Sequence, residues 1–295
     1  MTRRWLVAMM LLGPGALASP SAAAPPCQEH EIGFGVEASR ALRPGASPAE
    51  LIDGIASVIR DALGLPFPKS HKAYVCRDEA AFSEGLLRNF GVGAIGGDWG
   101  IVPSAAGIAT RVGVFLRGDY LTRVNLHRRV TVVAHELAHL SQLALVGSGE
   151  SRLPVWMLEG QADWVAFQVL DRLGLRTYDE SRAVVARSVA GAVTPVEHFP
   201  DLDALAGHAT WNRSARSLAA TYGQAFLAVE FLIERSSHAA LVKFLGSAGE
   251  ADDPRGRWAE AFSTSYREFA DAFRAHLKSM GRPATGLTMD PMSWP

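Results

Sequence analysis

The sequence is poor in cysteine, with two in 295 residues, Cys27 and Cys76. Neither belongs to a C-x-x-C pair, which excludes zinc ribbons and dithiol redox chemistry. It also lacks a basic stripe. The formal net charge is −1 with acidic and basic residues well mixed, so nothing in it demands nucleic acid or an anionic membrane surface as partner. No internal repeat and no low-complexity block is present. The longest apolar run near the start, Trp5 to Leu12, holds eight residues, against the roughly 20 that cross a bilayer. A hydrophobic fraction of 48% over this length is enough for one substantial core or two closely packed lobes.

That early run has the grammar of an export signal. Arg3 and Arg4 give a positive start, Gly13, Pro14 and Gly15 end the apolar stretch, and small residues follow through Ala24. Cleavage after Ala18 or among Ala22, Ala23 and Ala24 is compatible with the pattern, and Thr2 to Leu6 partly resembles a twin-arginine signal. Residues 1–24 are therefore read as a signal peptide, and the mature protein as periplasmic or secreted, without stable membrane insertion. In an oxidising compartment Cys27 and Cys76 are expected to form one disulfide, pinning the mature N-terminus to the segment around Cys76. Pro25 and Pro26 weigh against a lipid anchor on Cys27.

Helical periodicity dominates the mature chain. Ser47 to Leu63 reads as a helix, Lys72 to Cys76 as a short strand, and Glu79 to Phe90 as a second helix. Glycines then crowd Gly91 to Gly107. Gly91 to Gly96 spells G-x-G-x-x-G, but a helix precedes it and a loop with Pro103 follows, the reverse of the strand and helix that dinucleotide binding requires. A surface loop is expected there instead. Val112 to Leu116 has strand character, and the tail 283–295 reads as disordered.

The chemistry begins in the next helix. Asn125 suits its N-cap, Gly147 its end, and Leu126, Val130, Val133, Leu137, Leu140 and Ala144 recur at helical spacing. Within it lies His135-Glu136-Leu137-Ala138-His139. Histidines at i and i+4 stand on one helical face, so both imidazoles can reach one ion, while Glu136 sits beside it as a base for water. A second helix, opened by Pro154 and followed by Gly174, carries Glu159 and Asp163 four apart on one face. A catalytic zinc takes three protein ligands and keeps an open position, so Glu159 can complete the set with His135 and His139. Asp163 is then placed to accept a hydrogen bond from the outer ring nitrogen of a ligand histidine.

With those residues in place, the chain resembles the gluzincin zinc metallopeptidases, and more narrowly the bacterial peptidase MA-like group. The resemblance rests on the H-E-x-x-H helix and on Pro154 to Asp163, and extends from the strand near Tyr74 to a helix ending near Met280. It includes Tyr222 to Ala225 opening a helix through Arg235, and a closing helix with a capping box of Ser265 and Glu268. Leu145 stands where metzincins have a third histidine. An Asp163-ligand variant remains open, although the context of Leu158-Glu159-Gly160 matches a glutamate ligand better.

The resemblance implies an α+β, mostly helical fold. A small mixed sheet and helices form an upper lobe to about residue 147, a helical lower lobe spans 148–282, and one zinc lies between them in a single domain over 25–282. It implies a peptide or protein substrate, aligned along Val112 to Leu116 as the edge strand. It also implies an oxyanion donor, Tyr222 first, with His208 and His198 behind it. His127, His238 and His276 are expected at the surface. The alternative from a different class is a non-catalytic peptide- or protein-binding module that keeps the fold, and among enzymes these residues do not separate a peptidase from another amide hydrolase.

Overall fold

The computed structural model describes residues 25–90, 105–147, 153–218, 220–249 and 254–280. The expected signal peptide, the Gly91 to Gly96 stretch and the 283–295 tail lie outside the described residues.

The architecture is α+β and mostly helical, with one small mixed sheet. Strands β1 (Cys27–Glu31), β2 (Lys72–Cys76), β3 (Gly107–Thr110) and β4 (Gly113–Arg117) lie in the order β1-β2-β4-β3. β2 and β4 run parallel, and β1 and β3 flank them antiparallel. The helices in chain order are α1 (Ala38–Ala41), α2 (Pro48–Ser57), α3 (Glu79–Phe90), α4 (Gly118–Arg123), α5 (Leu126–Val146), α6 (Val155–Arg172), α7 (Tyr178–Ala190), α8 (His208–Ser217), α9 (Thr221–Arg235), α10 (His238–Gly246), α11 (Pro254–Phe262) and α12 (Tyr266–Ser279). All four strands thus precede the end of α5, and every described element after it is helical.

The period-2 alternation of the strands sorts two hydrophobic clusters onto opposite faces of the sheet. Ala73, Val114 and Leu116 face the main core, which runs continuously through the helices as far as Leu277. Cys76 and Phe115 face a small satellite core with Cys27, Phe82 and Leu86, covered by α3. Cys27 and Cys76 are register partners across β1 and β2 and form the expected disulfide, leaving no free cysteine. β1 went unread in the sequence because Gln28, Glu29 and Glu31 are exposed and show no apolar alternation; pairing with β2 and the crosslink hold it.

Three expectations need correction. The helix over Ser47 to Leu63 is α only to Ser57, and its last turn, Val58–Ala62, widens to a π-helix in which the Leu63 amide reaches the Val58 carbonyl. The strand read at Val112 to Leu116 is present as β4, but it lies inside the sheet; the edge on that side is β3. The hairpin that places β3 there turns through Gly113 at φ 142°, a conformation open to glycine. Finally, His127, His238 and His276 are not simply surface residues. All three are half-buried: His127 Nε2 meets the Leu175 carbonyl at 2.7 Å, His238 stacks on Trp164 and His276 on Phe231.

Helices α5 and α6 carry the site. Asn125 caps α5 by accepting the Arg128 amide, and Gly147 ends it at φ 57°. α6 has Pro154 as its N-cap, which offers no side-chain acceptor. Its first amides are satisfied by backbone instead, Val155 donating to Ala206 and Trp156 to Leu205.

Candidate metal centre

Helix α5 sets His135 and His139 one turn apart, with ring centroids 4.7 Å from each other. α6 brings Glu159 against them. His135 Nε2 lies 3.1 Å from His139 Nε2 and 3.3 Å from Glu159 Oε2, and His139 Nε2 lies 3.7 Å from that same oxygen. Among the described residues these three form the one group of His, Cys, Asp and Glu placed to hold a metal ion.

The outer ring nitrogens decide what the inner ones can do. His135 Nδ1 is 2.8 Å from Asp163 Oδ1, and His139 Nδ1 is 2.7 Å from Gln142 Oε1. The Gln142 amide is oriented by its other end, since its NH2 group donates to the Leu158 carbonyl and to Gln161 Oε1. Both Nδ1 atoms therefore donate outward, which leaves both Nε2 atoms to present lone pairs inward whenever the rings are neutral. Two ring nitrogens and a carboxylate oxygen converge as acceptors, an arrangement that suits a cation. A tetrahedral ion with ligands at about 2.0–2.2 Å separates them by about 3.3–3.5 Å, the range around which the observed spacings scatter.

Burial sharpens the charges. Desolvation works against protonated His135 and His139, but the carboxylates of Asp163 and Glu159 outweigh it at His135, and that of Glu159 at His139, so both imidazoles are pushed up. At Glu159 burial acts to raise the carboxyl, and the two imidazoles overcome it and hold it well below the usual carboxylate range. Glu136 behaves oppositely. Burial dominates and raises its carboxyl, with the His135 and His139 charges opposing.

Tyr222, at the start of α9, lies beside the group, its ring centroid 6.3 Å from that of His135. The Glu159 carboxylate, then burial, then Asp163 and Glu136 push its hydroxyl well above the ordinary range, so it stays a donor at neutral pH. Trp211 of α8 packs edge-on against its ring at 5.1 Å and opposes the shift slightly.

The structure thus brings together His135, Glu136, His139, Glu159, Asp163 and Tyr222. His208 opens α8, and His198, itself exposed, ends the turn Val196–His198; neither joins the metal group. Sequence reading missed Gln142. Its signal was present, three residues after His139 and hence on the same helical face, but a glutamine among apolar neighbours carries no chemistry of its own until the partner helix is placed.

Comparison with protein-family models, with curated proteins and with solved structures finds no match for this chain in any of the three.

Proposed function

We propose that the protein is an exported zinc metallopeptidase of the gluzincin type, in which His135, His139 and Glu159 hold one zinc and Glu136 is the general base. The observation that carries this reading is the convergence of His135 Nε2, His139 Nε2 and Glu159 Oε2, all within 4.8 Å of one another, with both outer ring nitrogens already committed. Three protein donors leave a position open for water, as catalytic rather than structural zinc requires. When bound, zinc supplies Lewis acidity, which polarises a carbonyl and acidifies water.

The remaining work falls to the chain. Glu136, its carboxyl raised by burial, takes the proton of the attacking water and passes it to the leaving amine. Asp163 and Gln142 fix the ring orientations of the ligand histidines. The Tyr222 hydroxyl donates to the oxygen on which negative charge develops. Strand β3, the edge of the sheet among the described residues and lying against α5, offers backbone groups to an extended peptide. Export is supported by the Cys27–Cys76 disulfide, and no described helix is long and apolar enough to cross a membrane.

The test compares wild type with Glu136→Gln on a quenched peptide library. The substitution keeps size and metal ligands while removing the base, so zinc content should hold and hydrolysis should fall by about 10²–10⁴. Chelator should abolish the wild-type rate and zinc restore it. Equal rates in the two proteins would transfer the site to the binding-module reading.

A further inference from the structure

We propose that Gly107 is a positioning residue for Glu136, and that strand β3 holds this carboxylate in place as well as edging the sheet. The inference rests on the proposed role of Glu136 as general base.

Glycine is a poor strand residue, and a reason for it is usually a positive φ or a close approach. At Gly107 the first reason is absent, because its φ is not among the positive ones. The second is present. A Cβ at this position would sit 2.7 Å from Glu136 Cγ and 3.1 Å from its Cδ, with Leu116 Cδ2 at 3.0 Å on the other side. The atom in the way is the middle of the glutamate chain, which cannot swing clear without carrying the carboxylate with it.

Two residues along β3, the Ala109 backbone amide lies close enough to the Glu136 carboxylate to favour its charged form against the dominant effect of burial. That attraction and the bare surface of Gly107 act together. The first draws the carboxylate end toward the strand, and the second lets the strand lie close against the glutamate chain. Glu136 is thus held from above by β3, while α5 fixes its backbone from below. A methyl group at position 107 drives the side chain off the strand and breaks the Ala109 contact, leaving His135, His139 and Glu159 where they are.

The experiment pairs Gly107→Ala with Glu136→Gln in a double-mutant cycle on the zinc-loaded full chain, using one library peptide. Alone, Gly107→Ala should lower kcat by about 10–100-fold, the cost of roughly 1 Å misplacement, with KM within about threefold and zinc content unchanged. In the Glu136→Gln background the same change should alter the residual rate by less than about twofold, since the group it positions is gone. The same fold loss in both backgrounds would show that Gly107 acts on substrate or on folding, and would overturn the proposal, as would an unchanged kcat. A second readout needs no activity: the Ala109 amide proton resonance, followed by NMR with and without zinc. Glu136→Ala and Gly107→Ala should both move it upfield, in the same sense. If Glu136→Ala leaves that resonance in place, β3 does not hold the carboxylate, whatever the enzyme does. A wild type without zinc-dependent hydrolysis but with the shared upfield shift would instead sink the peptidase reading and leave the clamp standing.

Discussion

Gln142 serves His139 as Asp163 serves His135, and the two acceptors come from different helices. Asp163 acts across the α5–α6 contact, while Gln142 acts along its own helix and ties it to the Leu158 carbonyl, next to the proposed ligand Glu159. Outer-shell partners of this kind typically contribute 10–100-fold to metal affinity. Asp163→Asn and Gln142→Ala are therefore each expected to raise the zinc dissociation constant by about that factor, read by competition with a chromophoric chelator. Unchanged constants in both variants would mean that the rings need no such support. A different residue sets a pH dependence. His238 stacks on Trp164 at 4.2 Å, its Nε2 is buried without a hydrogen-bond partner among the described residues, and burial lowers its pKa from 6.5 to about 4. Between those values the unfolded chain binds the proton and the folded one does not, so stability is fully present above about 6.5 and declines as pH falls toward 4. Denaturant midpoints across this range should show the decline, and His238→Phe should make it shallower, the remaining slope belonging to release of the metal as its histidines protonate.

Helices α6 and α9 meet at Gly160, the residue after Glu159. A Cβ there would stand 2.3 Å from the Ala225 carbonyl oxygen and 2.8 Å from Val229 Cγ2, so the helices must part to admit it. Gly160→Ala is expected to cost about 1–3 kcal/mol, the usual penalty of overpacking, and to weaken zinc binding by moving Glu159. Denaturant unfolding and the chelator competition read the two effects. An unaltered midpoint would mean the crossing is looser than its geometry. The same two elements show what a sequence exposes. α5 was legible to its ends, because Asn125 and Gly147 are local signals, and the histidine spacing follows from helical period alone. Glu159 and Asp163 were legible for the same reason. The sheet edge was not: β4 has the apolar character of a strand, while β3 is four short residues beginning at a glycine, and which of them lies outside depends on pairing between segments distant in sequence.

Across the molecule, one core joins the sheet to the last helix, and the disulfide closes the chain's described start onto β2 across 49 residues. Loop closure of that length should stabilise the fold by about 4 kcal/mol on the chain-entropy model. A Cys27→Ser, Cys76→Ser double variant is expected to lose about that much in denaturant unfolding while retaining its metal site, which the opposite face of the sheet adjoins. Loss of zinc together with the disulfide would tie the two in a way the separate hydrophobic clusters do not suggest. The overall class was readable because helical periodicity covers most of the chain. The satellite core was less so, since it is built from β1, which lacks any apolar pattern, and from a pairing that only the folded sheet reveals.

Metal content tests the central claim most directly. Protein purified without chelator and measured by elemental analysis should carry about one zinc per chain, and His139→Ala and Glu159→Gln should each lose most of it while keeping their helical content. Wild-type protein that neither carries zinc nor takes it up when the ion is added would contradict the account at its foundation.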